Sequence, residues 1–158
     1  MAVVPLSPGS RFPNHYVQYE KFQLINARPE DPSIRRDGDY LKIVAAPKFP
    51  KLGFDTTAGW MAYLMKNDVM FVKQYRVFPE RRYNEVAGLT MSIWYPANGK
   101  MVELEPIGPA ERLAPNARAA FTEVWTLLPQ NFPDSPNQLN AAAIAAQVGK
   151  LPELKPNR

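Results

Sequence analysis

The stretch Leu89-Thr90-Met91-Ser92-Ile93-Trp94-Tyr95, followed by Asn98-Gly99 and then Met101-Val102-Glu103-Leu104-Glu105, decides the fold class. Leu89, Met91, Ile93 and Tyr95 alternate with Thr90, Ser92 and Trp94, the period of a strand with one face buried. Asn and Gly both tolerate positive φ, so Asn98-Gly99 reads as a tight hairpin turn. A second hairpin lies just before it. The apolar runs Trp60 to Met65 and Val69 to Tyr75 flank Lys66-Asn67-Asp68.

Outward from these hairpins the chain reads as short elements. Residues 1–19 are rich in Pro, Ser and Asn and are expected as an extended arm. Residues 20–26 read as a first strand and 27–38 as a polar loop ending in the turn signal Asp37-Gly38. Tyr40 to Val44 reads as a strand, Pro47 to Gly53 as a proline-flanked loop, and Ala119 to Leu128 as the last strand. From Ser135 to Gly149 a cap residue, a proline at the first helical position and an alanine-rich run indicate one short helix. The tail from Leu151 to Arg158 is expected to be loosely held. The 17 prolines argue against long helices. The expected fold is all-β, an antiparallel β-sandwich with one short C-terminal helix. It is divided into the arm (1–19), the sandwich (20–130), and the helix and tail (131–158).

Composition narrows the function. The 158 residues suit one domain, and 46% hydrophobic content is enough for a core. No apolar run approaches the ~20 residues of a membrane span. The N-terminus lacks the pattern of a signal peptide, so a cytoplasmic location is the expectation, a removed leader aside. There is no cysteine, hence no disulfide or thiolate chemistry, and one histidine, His15, so no multi-histidine metal site. No metal or cofactor is expected. The net charge of +4 and pI near 9.4 raise nucleic acid as a partner. The basic residues are scattered, though, and a solvated surface is the better reading.

Three groups of residues carry candidate chemistry. Glu103 and Glu105 share one strand face, about 7 Å apart, with Val102 and Leu104 turned to the core. Such a pair fits acid–base work or two solvated carboxylates. Glu123 shares a face with Phe121, Trp125 and Leu127. A carboxylate between aromatic rings fits a sugar platform, a salt bridge or an edge residue with its head in water. Lys73, between Phe71 and Tyr75, calls for a carboxylate partner among Glu85, Glu105 and Glu123, and a structural ion pair suits it better than catalysis. The loop Arg81-Arg82-Tyr83-Asn84-Glu85 mixes donors, a ring and an acceptor.

Gly59-Trp60-Met61-Ala62-Tyr63, Phe71-Val72-Lys73, Asn84-Glu85, Val102-Glu103-Leu104-Glu105-Pro106-Ile107-Gly108-Pro109, Leu113-Ala114-Pro115 and Thr122-Glu123-Val124-Trp125 occur in one order. That series, over roughly residues 27–130, resembles a largely uncharacterised bacterial family related to galactose mutarotases. The likeness is to the C-terminal half of their β-supersandwich. The resemblance implies a sugar groove across one sheet and a general base at Glu105. Glu123 and Lys73 would stand beside that base as further catalytic groups. Glu85, Tyr83, Arg82, Trp125 and Glu103 would hold the substrate. The implied activity is mutarotase- or epimerase-like isomerisation of a sugar or sugar-derived molecule. The alternative is a non-catalytic module that self-associates, or is completed by a partner chain, through exposed sheet surface.

Overall fold

The computed structural model describes residues 1–20, 23–24, 30–96, 99 and 101–154. Among these are eleven strands: β1 (Ala2–Pro5), β2 (Val17–Glu20), β3 (Gln23–Leu24), β4 (Ile34–Asp37), β5 (Tyr40–Ile43), β6 (Lys51–Phe54), β7 (Trp60–Met65), β8 (Val69–Tyr75), β9 (Met91–Trp94), β10 (Glu103–Pro106) and β11 (Glu123–Pro129). One α-helix, α1 (Ala141–Val148), follows them. The strands form two antiparallel sheets, one ordered β11-β8-β7-β1-β5-β4 and the other β10-β9-β6-β2-β3.

The fold is the all-β sandwich expected from the sequence. Its main core lies between the sheets. Leu41, Ile43, Met61 and Tyr75 of the six-stranded sheet meet Leu52, Phe54, Met91, Ile93 and Leu104 of the five-stranded one. A second apolar layer covers the opposite face of the six-stranded sheet, where Val3, Ala62, Leu64, Met70 and Val72 receive Leu139, Ala141, Ile144 and Val148. A helix of eight residues is too short to persist alone. α1 is held because Ala141, Ile144 and Val148 recur at helical spacing on its sheet-facing side.

The β7–β8 hairpin forms as expected, with Asp68 at φ 60 in its turn. β9 and β10 also pair, Trp94 opposite Glu103 and Met91 opposite Pro106, a register whose midpoint falls between residues 98 and 99. Asn98 itself lies outside the described residues.

Several expectations are corrected. Residues 2–5 are not part of an arm. They form a central strand between β5 and β7, and Ala2, Val3 and Val4 are 0% exposed. The sandwich therefore begins at Ala2 and not at residue 20. Of the strand expected over 20–26, Glu20 ends β2 and Gln23–Leu24 form β3; residues 21–22 and 25–26 lie outside the described set. Ile34–Asp37, expected as loop, is β4, and the Asp37-Gly38 signal marks its turn into β5. Lys51–Phe54, expected as the end of a loop, is β6 at the centre of the second sheet. The last strand starts at Glu123, not Ala119.

The helix expected from Ser135 is broken in two. Ser135 caps a single 3-10 turn over Pro136–Gln138, and Asn140 starts α1 by accepting from the Ala143 N–H at 2.9 Å. The side chain of Asn140 supplies a cap where the backbone has already left the helical region, and that splits the element.

Candidate functional site

The candidate residues fall in three places. Neither groove described below is lined by all of them.

The first is the outer face of the five-stranded sheet. Leu52, Met91, Ile93 and Leu104 point to the core, so alternation turns Lys51, Ser92, Trp94, Glu103 and Glu105 outward. Glu105 lies directly opposite Ser92 and Glu103 opposite Trp94. The Ser92 hydroxyl donates to Glu105 Oε2. Lys51 Nζ stands 3.2 Å from the same oxygen and 5.4 Å from the centre of the Tyr19 ring. The Tyr19 hydroxyl donates to Glu85 Oε1 at 3.4 Å. Burial pushes the Tyr19 phenol upward, Glu85 and Glu105 add to this, and Ser92 and Lys51 oppose it. Burial works against the charge of Lys51, but Tyr19, Glu105 and Glu85 outweigh it and hold its ammonium above the usual lysine range. Next to this network lies a groove of about 620 Å³, lined by Tyr19, Phe49, Pro50, Trp94, Lys51 and Glu103 among others.

The second place is the seam between the sheets at β11. Lys73, Phe71 and Tyr75 share the core-facing side of β8, and Trp125, Leu127 and Glu123 lie directly opposite them. Lys73 Nζ sits 3.0 Å from Glu123 Oε2 and 4.8 Å from the centre of the Trp125 ring. It donates to the Leu104 carbonyl, on edge strand β10 of the other sheet, at 2.8 Å. Trp125 Nε1 donates to Glu123 Oε2 at 2.7 Å. Of the three carboxylates the sequence offered Lys73, Glu123 is the one that pairs with it. The lysine bridges the sheets.

The third place is the end of the sandwich. There Arg82 and Tyr83 line a cavity of about 560 Å³ with Arg11, Arg81, Asp55 and Gly88. Glu85 lies between this cavity and the outer face. Its carbonyl accepts from the Gly88 N–H at 2.7 Å, closing the turn in which Ala87 has φ 54.

The sequence reading missed Lys51, Ser92, Tyr19 and Trp94 as members of one polar face. The signal was present in Lys51-Leu52-Gly53-Phe54, which alternates, but Pro47 and Pro50 just before it read as loop. Among the described residues no helix is long and apolar enough to cross a membrane.

No protein-family model matches the chain, and neither does any curated protein or any solved structure.

Proposed function

We propose that the outer face of the five-stranded sheet binds a carbohydrate or a sugar-derived molecule. One observation carries the reading: the groove beside Lys51 joins two part-exposed aromatic side chains, Phe49 and Trp94, over the buried Tyr19, to charged groups of both signs, Lys51 and Glu103. A sugar ring has apolar C–H faces and a rim of hydroxyls. It is held best where aromatic surface and a few convergent polar groups meet. Lys51 donates to hydroxyl oxygens, and Glu103 accepts hydroxyl protons. If the bound sugar is turned over, Glu105 is the group for acid–base chemistry on this face, as the mutarotase resemblance implies. Lys73 and Glu123 then act as structure, not as catalysts.

The test is thermal unfolding and calorimetry of the purified chain against free sugars, uronic acids and sugar phosphates, with optical rotation to follow anomer exchange. A ligand that binds only the folded state raises the melting temperature by mass action. The reading expects a shift for one sugar class that Trp94→Ala abolishes. Anomer exchange, where seen, should be lost in Glu105→Gln with binding retained. No shift with any sugar, or a shift that survives Trp94→Ala, sinks the proposal.

A second reading rests on β11. This strand is the free edge of the six-stranded sheet, and Trp125 and Leu127 are each 65% exposed, with Val124 at 40%. Natural edge strands usually carry charges or bulges that discourage pairing. Within β11 only Glu123 is charged, and Lys73 engages it. Antiparallel pairing about a two-fold axis at Thr126 sets Trp125 of one copy against Leu127 of the second, a self-complementary contact. Light scattering should then report a dimer that Leu127→Lys converts to a monomer. A wild-type monomer at the highest attainable concentration refutes this reading.

A further inference from the structure

We propose that the cavity at the end of the sandwich binds a small oxyanion of the phosphate-monoester class, independently of the groove on the sheet face. Three guanidinium groups, Arg11, Arg81 and Arg82, line it against one carboxylate, Asp55. Asp55 is already engaged. Its side chain is 7% exposed. It accepts from the Ser10 hydroxyl at 2.6 Å and the Arg11 N–H at 2.8 Å, with Arg11 Nε at 3.5 Å. With Asp55 set against Arg11 and Glu111 against Arg81, one positive charge, that of Arg82, is left over.

The arginines are placed with different degrees of constraint. Arg11 is fixed on two sides, by Asp55 and by the Gly88 carbonyl, which accepts from Nη2 at 2.9 Å. Its guanidinium occupies the space a side chain at residue 88 would need: a Cβ there would stand 2.9 Å from Nη2 and 3.2 Å from Nη1. Gly88, at φ +76, thus serves the turn and the seat together. Arg81 is drawn outward by Glu111 at 2.8 Å. The exposed Arg82 side chain has no hydrogen bond or ion pair among the described residues. Its backbone, however, is anchored through a carbonyl that accepts from the Ala110 N–H at 2.7 Å. Tyr83 accepts from the Phe78 N–H at 3.0 Å through its hydroxyl oxygen, so its own O–H proton is available to donate inward.

This is the donor set an oxyanion requires. Guanidinium forks match the oxygen spacing of phosphate and carboxylate, and charge-assisted bonds to them are about twice as strong as neutral ones. A phosphate monoester offers three terminal oxygens to these donors where a single carboxylate offers two. The volume of about 560 Å³, with Val77 and Pro79 on its wall, leaves room for a small organic remainder. A phosphate monoester therefore fits better than the bare ion.

The experiment is calorimetric titration of the full chain with inorganic phosphate, glycerol phosphate, acetate and citrate at constant ionic strength. Wild type is compared with Arg82→Gln and Arg82→Lys. Arg82 is exposed and bonded only through its backbone, so neither substitution threatens the fold. The expected result is binding of inorganic phosphate and tighter binding of glycerol phosphate. Both should weaken about tenfold or more in Arg82→Gln and less in Arg82→Lys, and both should fall as salt is raised. Three results overturn the proposal: no binding of either phosphate, binding undiminished in Arg82→Gln, or carboxylates bound as well as phosphates. A single-stranded oligonucleotide bound more tightly than glycerol phosphate would overturn the small-molecule assignment.

Discussion

Replacing Lys73 by Met removes one charge from the seam between the sheets and leaves two groups without their partner. The Leu104 carbonyl loses the donor at 2.8 Å, and Glu123 loses the ammonium at 3.0 Å. A hydrogen bond from a charged donor contributes about 1.5–3 kcal/mol. Breaking a fully buried ion pair costs about 3–5 kcal/mol. The side chains of Lys73 and Glu123 are 12% and 23% exposed, so water reaches Glu123, which also keeps its bond from Trp125. Methionine restores most of the aliphatic packing. We expect a net loss of about 2–3 kcal/mol, which for a domain of this size is roughly 4–12 °C in melting temperature. Glu123→Gln alone should cost less, because Lys73 keeps the Leu104 carbonyl and the face of Trp125. In the Lys73→Met background, Glu123→Gln should cost nothing or restore stability, giving a coupling of about 1–2 kcal/mol. Chemical denaturation of the four proteins measures the cycle. Additive effects would refute the Lys73–Glu123 pair, and a loss below about 0.5 kcal/mol for Lys73→Met would refute the bridge between the sheets.

Two more expectations follow from the packing. A Cβ on Gly53 would stand 2.3 Å from Leu89 Cδ1 and 3.1 Å from Tyr19 Cε1, and both side chains are buried. Gly53→Ala should therefore cost about 1–3 kcal/mol by overpacking, and it should cost less when made in a Leu89→Ala background; a neutral Gly53→Ala would contradict this packing. The Met1 amine of the 158-residue chain donates to the Leu64 carbonyl at 2.9 Å. Burial, with Lys66 nearby, lowers its pKa from 8.0 to about 6. The folded state then binds fewer protons than the unfolded one between those values, so stability should rise by about 2 kcal/mol at most from pH 6 to pH 8. Melts across that range should show the rise in the free chain and not in the Nα-acetylated chain. An equal rise in both would assign it to other groups.

The parts of the fold legible in sequence are those with local signals. β9 alternates, and β7 and β8 are apolar runs of six and seven residues on either side of Lys66-Asn67-Asp68, so pattern and punctuation agree. β1 has no such support. Ala2-Val3-Val4-Pro5 is buried on both faces, so it has no period, and its partners lie forty and sixty residues away. β6 was hidden because the two prolines just before it, Pro47 and Pro50, signal a loop more strongly than four residues signal a strand. Lys73 was legible as a lysine in need of a carboxylate, since the apolar residues around it are its own sequence neighbours. Which carboxylate it takes depends on strand order, and a single chain of letters does not carry that order. For the same reason Glu105 and Glu123 were read into one groove, although β10 and β11 belong to different sheets.

The place of β1 also bears on how the protein is made. Residues 2–5 leave the ribosome before the other described strands, yet the strand that flanks them on one side, β7, is complete only at residue 65. At about 5–20 residues per second the wait lasts roughly 3–12 s. Through that interval an apolar segment destined for the centre of a sheet has no second neighbour and stays open to wrong partners. Slowed translation before residue 65, or a chaperone that engages the nascent β1 segment, should thus change the yield of folded protein without changing its final stability.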